Sequence, residues 1–503
     1  MNSIEGESNT AARRDTKVTQ TALWLVCLAM ALLVATLLAH PLQRINTQLS
    51  PDYNEGWNAV FTERWEHGEL LYPEAGTLLF NNYPPLSFVF TATVARLFGQ
   101  ADAIVAGRWI SLCSLLVTAL CIGLITFRST RRSAAGVFSS LLFLTVMLYT
   151  AEDYVASSDP QMLAHALATA ALAMLLWRER PSARRVAITA VLLLTAGFIK
   201  HNLLALPLAI SIWLLFTDRR LLFTWLATSV LAAAAAMLLC YVQFGTAFFI
   251  AVLQHHRHYT LDRLVKYSAA SLTPLIGLLS IPVAGWLAGD NRPRGALLLL
   301  YAAIACIVGV LICGGDGIDD NAFFDLMIAG SMATAIALDY LSSQVASSMR
   351  WRAELAMACV TLAPLAAALP MVGLDSIRGL HSFATEKEQW AVDIAFLARR
   401  GDAMCEYLSL CYWAGKAPAV DFFNTGEAMT TGHLDMSALL APIEAHRFSV
   451  IQTAKPDGSS SLLPDAVNEA IRRNYAIAHV SPVSGAYLVP RPFRLPANAP
   501  IAQ

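Results

Sequence analysis

Eleven apolar runs, most of them near the length needed to cross a bilayer, dominate this chain of 503 residues. They fall near 21–39, 103–127, 133–150, 161–177, 186–200, 203–216, 221–244, 272–288, 296–313, 322–341 and 353–373. A spanning helix needs about 20 mostly apolar residues, because lipid offers no partner to an unsatisfied N–H or C=O. Only 14% of the residues are charged, against about 25% in soluble proteins. Soluble single-domain enzymes and disordered chains are therefore excluded. The expected fold is an all-α polytopic membrane protein. A net charge of −1 creates no global field that would attract nucleic acid.

One further segment tests the topology. Residues 84–99, PPLSFVFTATVARLFG, open with two prolines and contain Arg96. If they lie flat at the interface rather than crossing, the connecting segments alternate cleanly. One side then holds sixteen Lys and Arg residues and the other only six. A spanning 84–99 would put RSTRR (128–132) and RERPSARR (178–185) on the wrong side of the positive-inside rule. The expected organisation follows from this count. Residues 1–20 form a cytoplasmic tail and 21–373 a transmembrane domain. Within the latter, 41–102 is a first extracytoplasmic loop carrying a juxtamembrane helix at 84–99. The run at 21–39 is longer than a signal-peptide core and has no clear A-x-A site after it, so it reads as an uncleaved first span.

From 374 to 503 charges return and prolines cluster. ATEKEQWAVDIAFLARR and PDAVNEAIRRNYA carry helical periodicity, whereas FSVIQTA and GAYLVPR read as strands. A small extracytoplasmic α/β domain is expected there. Seven of the nine cysteines lie in apolar runs, where cysteine behaves as a small apolar residue. Cys405 and Cys411 lie in the outward domain and form a candidate disulfide; two buried thiols are the other reading.

Carboxylates are scarce, so those on the outer side stand out. SPDYNEGW places Asp52 and Glu55 at an i, i+3 spacing that puts both on one face of a helix. YTAEDYVASSDP offers Glu152, Asp153 and Asp159 with no base among them. Such acids could supply a general base, a metal site or an ion vestibule, or could simply cap helices, as Asp159 before Pro160 would. Lys200 and His201 join two apolar runs in FIKHNLLALP, where they could bind a lipid phosphate or mark the interface. In QHHRHY (254–259), His255 and His258 share a helical face and could serve phosphate binding, a metal or a proton relay, or rest on headgroups. Arg108 lies in the second apolar run and needs a partner or a phosphate there. GGDGIDDN (314–321) lacks the G-K-[ST] ending of a P-loop.

The order of motifs in the first half resembles a known family. An apolar helix is followed by the Asp52/Glu55 motif, then Gly68-Glu69-Leu70-Leu71-Tyr72, NNYPPLSF (81–88), LFG (97–99) and Ala106-Gly107-Arg108. This series resembles the GT-C membrane glycosyltransferases of the glycosyltransferase family 39 kind, which include protein O-mannosyltransferases and aminoarabinose transferases. The resemblance covers about residues 20–216, is vague over 217–373 and is not evident in the tail. It implies a GT-C-like transmembrane catalytic domain that moves a sugar from a polyprenyl-phosphate donor to a hydroxyl of a glycan, lipid or protein on the extracytoplasmic face. The family's motif is typically an adjacent Asp-Glu, whereas Asn54-Glu55 stands here with Asp52 two residues earlier. Either Asp52 or Glu55 is then the base. A lysine often precedes the family's proline pair; here it is Tyr83, which moves the expected phosphate contact to Lys200.

The resemblance further implies Asp159 as a positioning acid or second base, Lys200, His201 and Arg108 around the phosphate, and Asn82 and Tyr83 as substrate contacts. Inversion at the anomeric carbon would follow from direct displacement. No cofactor is assigned and metal dependence is open: Asp52, Glu55 and Asp159 could hold a divalent metal, but related enzymes can work without one. Membrane lipids are the other expected partners, and the localisation is a multi-pass cell membrane. A transporter or flippase for a lipid-linked or anionic substrate is the alternative. It would carry its charges near mid-membrane, whereas here the polar residues gather at one surface. A scaffold displaying the tail would need no acid cluster at all.

Overall fold

The structure, a computed structural model, describes residues 2–73, 76–253, 256–366 and 369–492, with the backbone alone for residues 2–21 and 369. Its candidate His255 lies outside the described residues. Two compact units emerge. The first comprises Met1–Asn46, Tyr83–Gln243 and Tyr259–His381, and the second Thr47–Asn82, Phe244–His258 and Ser382–Gln503.

The first unit is a helical bundle. Among the described residues of the whole chain, seven helices are long and apolar enough to cross a membrane. The number is eight if the bent pair Ser347–Ala366 and Pro370–Ala398 counts as one span. Three more of the expected runs form shorter helices, Gln161–Leu175, Ala183–Ile199 and Ala205–Thr217, of 15, 17 and 13 residues. At 1.5 Å per residue they rise only about 20–26 Å, less than the ~30 Å hydrocarbon core. Together these helices account for all eleven apolar runs. The helix Leu86–Leu97, by contrast, has 12 residues and opens immediately after Pro84 and Pro85.

The centre of the bundle is the helix Phe324–Ser343, which packs against Pro293–Ile312, Ile276–Leu287, Ser133–Thr150, Ala103–Thr130 and Arg350–Ala366. Its sequence IAGSMATAIA is rich in small residues, which let membrane helices approach closely where dispersion rather than water exclusion drives association. A Cβ on Gly330 would lie 2.8 Å from Leu278 Cβ, and one on Gly285 2.9 Å from Ala337 Cβ. At one end of the bundle Arg132 donates to Glu354 at 2.6 Å and to Asp339 at 3.1 Å, while Arg350 reaches the same two acids. Glu354 is fully buried. These arginines thus tie helix ends together.

The second unit contains a four-stranded sheet of β1 (Ala403–Cys405), β2 (Val450–Thr453), β3 (Tyr475–Ser481) and β4 (Gly485–Pro490), in the order β1-β2-β4-β3. β1 pairs parallel to β2, and the other two pairings are antiparallel. One apolar core joins Met404, Ile451 and Leu488 to Phe422, Leu439 and the helix Asp465–Asn474. A second surrounds the Cys405–Cys411 disulfide with Trp390, Leu397, Tyr487 and Leu49. Leu49 comes from the first long loop, whose stretch Thr47–Asn82 folds with the tail. The loop's helix Tyr53–Glu66 packs on Leu408–Trp413 through Gly56, where a Cβ would come within 2.0 Å of the Ser409 backbone nitrogen.

Candidate active site

In the first unit, local chain stops place three of the expected residues. The proline pair starts the helix Leu86–Leu97 and leaves Tyr83 just ahead of it. The helix Ala183–Ile199 ends at Lys200, whose backbone is extended. Asp159 accepts the Gln161 N–H at 2.7 Å ahead of the helix Gln161–Leu175. These last two helices pack as a hairpin, which returns Lys200 to Asp159. Lys200 Nζ lies 3.5 Å from Asp159 Oδ2 and 3.7 Å from the centre of the Tyr83 ring, with both charged side chains 5% exposed. His201 stands edge-on to Tyr83, its ring centre 6.3 Å away, and its side chain is exposed.

Asn202 donates to Gln161 at 3.3 Å, and Gln161 in turn bonds His165 at 3.0 Å. His165 faces Asp325 at 3.6 Å, and Tyr301 donates to the same carboxylate. This chain was not legible as a unit, because His165, Tyr301 and Asp325 each look like isolated polar residues in apolar runs, while Asn202 sits in the turn after Lys200. Arg108 is fully buried and donates to the carbonyls of Arg44 and Ile45 at 2.8 and 3.3 Å. Gly107 beside it admits the second acidic loop, since a Cβ there would meet Ser158 Oγ at 2.0 Å. That close approach is why glycine precedes the arginine. In the same loop, burial raises the Asp153 carboxyl above its ordinary range, although Arg44 and His40 pull it down.

Asp52, Glu55, Asn82 and His258 belong to the second unit. Asp52 opens the helix Tyr53–Glu66, accepting the Asn54 N–H at 2.6 Å, and is half-buried. Glu55 is fully buried and accepts from the Ser50 hydroxyl at 2.9 Å. Their i, i+3 spacing is realised on a helix, with one acid capping it and the other enclosed. The His258 backbone N–H donates to Glu427 at 2.9 Å. Asn82 is buried in the wall of a cavity described below.

Sequence reasoning missed Asp421. Its carboxylate accepts from the Tyr53 hydroxyl, from Trp57 Nε1 at 3.0 Å, and from the backbone N–H and side-chain amide of Asn424 at 3.0 and 2.6 Å. Its own N–H donates to the Leu78 carbonyl at 2.8 Å. Burial raises the Asp421 carboxyl above the ordinary range, and these hydrogen bonds only partly offset it. Asp421 therefore fixes the helix that carries Asp52 and Glu55. Among the described residues no group of three or more His, Cys, Asp or Glu side chains is placed to hold a metal ion.

No protein-family model matches the sequence, and no curated protein matches it at the sequence level. Solved structures do match the fold. The chain is similar to ArnT from Cupriavidus metallidurans bound to undecaprenyl phosphate, with a TM-score of 0.57, 15% identity, and 93% of this chain and 97% of that one covered. It is also similar to the archaeal oligosaccharyltransferase AglB from Archaeoglobus fulgidus in complex with an inhibitory peptide and a dolichol-phosphate (TM-score 0.53, 13% identity, 95% and 75% covered). A third match is the oligosaccharyltransferase of the same organism in complex with Zn and sulfate (TM-score 0.51, 12% identity, 92% and 73% covered). The chain shares the fold of these solved structures, a many-helix bundle, and carries a small four-stranded sheet toward its C-terminus.

Proposed function

We propose that the chain transfers a sugar from a polyprenyl-phosphate-linked donor to a hydroxyl acceptor on the extracytoplasmic face of the membrane. The observation that carries this reading is the buried Lys200 ammonium, held between Asp159 and the Tyr83 ring, in a fold shared with a structure that binds undecaprenyl phosphate. A prenyl phosphate is already a good leaving group and needs no strong acid. Catalysis then needs a cation beside the departing phosphate and a base for the incoming hydroxyl.

In the proposed step the acceptor hydroxyl gives its proton to a carboxylate, and its oxygen forms the new bond to the anomeric carbon. The bond from that carbon to the phosphate oxygen breaks with its electron pair remaining on phosphate. Lys200 stabilises the added charge, Asp159 holds Lys200 in place, and direct displacement inverts the anomeric centre. Asp52 is the preferred base, because it is half-buried where Glu55 is fully enclosed. The concentration of basic residues in alternate loops supports a cytoplasmic N-terminus and an extracytoplasmic tail. A divalent metal is not needed for this chemistry, although one of the structural neighbours is a complex with Zn.

Asp52→Asn and Glu55→Gln test the assignment. With the fold intact, Asp52→Asn should lower product formation by at least 100-fold and Glu55→Gln by much less. Unchanged product formation in both variants overturns the carboxylate-base mechanism.

A further inference from the structure

A cavity of about 460 Å³ lies wholly within the second unit, inside the ~300–1,000 Å³ range of small-molecule sites. Its polar wall is made of amides and hydroxyls, Asn81, Asn82, Asn424, Thr77, Thr246 and Thr431, and of the imidazoles of His256 and His433. Among the described residues, no Lys, Arg, Asp or Glu lines it. The two imidazoles are stacked, with centres 3.9 Å apart and planes 16° from parallel. Phe80 and Ile250 add an apolar side.

Asn424 supplies the directional element. Its Nδ2 is committed to Asp421 at 2.6 Å, which fixes the orientation of the amide. Its Oδ1 is buried, has no hydrogen-bond partner among the described residues, and belongs to a residue only 5% exposed in the cavity wall. A buried acceptor left unpaired keeps its full desolvation penalty. The site therefore calls for a ligand that donates a hydrogen bond. An anionic ligand would meet no Lys or Arg among the described lining residues, whereas an uncharged polyhydroxyl ring offers donors for the amides and a flat apolar face for the aromatic wall.

We propose that this cavity binds an uncharged glycosyl group, with Asn424 Oδ1 accepting from one of its hydroxyls. The inference rests on the glycosyl-transfer reading for its place in the reaction but not for the binding itself. Asp421 connects the two: it aligns Asn424 and, through Tyr53 and Trp57, the helix bearing Asp52. A sugar bound against Asn424 is thereby registered to the proposed base.

The test uses the full chain in detergent and saturation-transfer NMR with methyl α-mannoside, methyl β-galactoside and methyl N-acetyl-β-glucosaminide. Glucuronate and inorganic phosphate are the charged controls. At least one neutral glycoside should bind at millimolar concentration, and Asn424→Leu should weaken it tenfold or more. Ala428→Phe, which fills the cavity from the helix Phe422–Thr430, should do the same, and Asp52→Asn should leave binding intact. Absence of neutral glycoside binding, equal binding in both cavity variants, or preference for a charged control overturns the proposal. Glycoside binding without transfer from any lipid-linked donor would instead sink the glycosyl-transfer reading and leave the cavity assignment standing. In an active preparation, a raised KM for acceptor alone in Ala428→Phe places the acceptor sugar there, and one for donor alone the donor sugar.

Discussion

The Lys200 ammonium stands 3.5 Å from the Asp159 carboxylate, with each side chain 5% exposed. Two opposite charges this far from water are stable only together, because removing one leaves the other uncompensated. Lys200→Met and Asp159→Asn should each lower stability by about 3–5 kcal/mol, and the double variant should cost less than the two singles combined. Thermal unfolding in detergent checks this. Additive losses would mean that the two groups do not interact, and would remove Asp159 as the residue that positions the lysine.

Asp421 makes a prediction in pH. Its folded-state carboxyl is raised by burial, so the folded chain holds this proton more tightly than the unfolded chain does. The stability it contributes is complete below about pH 4, the ordinary Asp value, and is lost as pH rises through the raised value. In Asp421→Asn that dependence disappears, over a constant penalty for misplaced donors facing Tyr53 and Trp57. The difference in unfolding midpoint, wild type minus variant, should therefore shrink between pH 4 and 7. A pH-independent difference contradicts the buried-acid description.

The Cys405–Cys411 disulfide closes a short loop, six positions in sequence, inside an apolar core. Loop-closure entropy for so small a ring gives about 2 kcal/mol. Cys405→Ser with Cys411→Ser, or reduction of the native chain, should destabilise by that amount in tryptophan-fluorescence melts, since Trp390 and Trp413 report on this core. An unchanged melt under reductant would show that packing alone holds the segment.

The bundle was legible because lipid imposes a simple demand. A run that must satisfy its own backbone and face hydrocarbon becomes a helix, and the loop charges sort the ends. Lengths were legible too: the runs 203–216 and 161–177, of 14 and 17 residues, form helices of 13 and 15. Asp159 and Lys200 could be singled out because each sits where an apolar run stops, and a hairpin returns such ends to each other. Asp421 could not be found that way. Its partners Tyr53 and Trp57 lie 368 and 364 positions away, and no local spacing encodes a contact of that separation. Asn424 was equally hidden, since its significance depends on which end of its amide Asp421 already occupies.

Glycosyl transfer from a prenyl phosphate leaves a direct chemical trace. In lipid extracts analysed by mass spectrometry, cells carrying Lys200→Met should accumulate a polyprenyl-phosphate-linked sugar and lose one glycosylated envelope glycan, lipid or protein. Cells carrying the unaltered chain should show neither change. Identical lipid-linked sugars and envelope products in the two strains, with the variant chain present and folded, would contradict the proposed reaction.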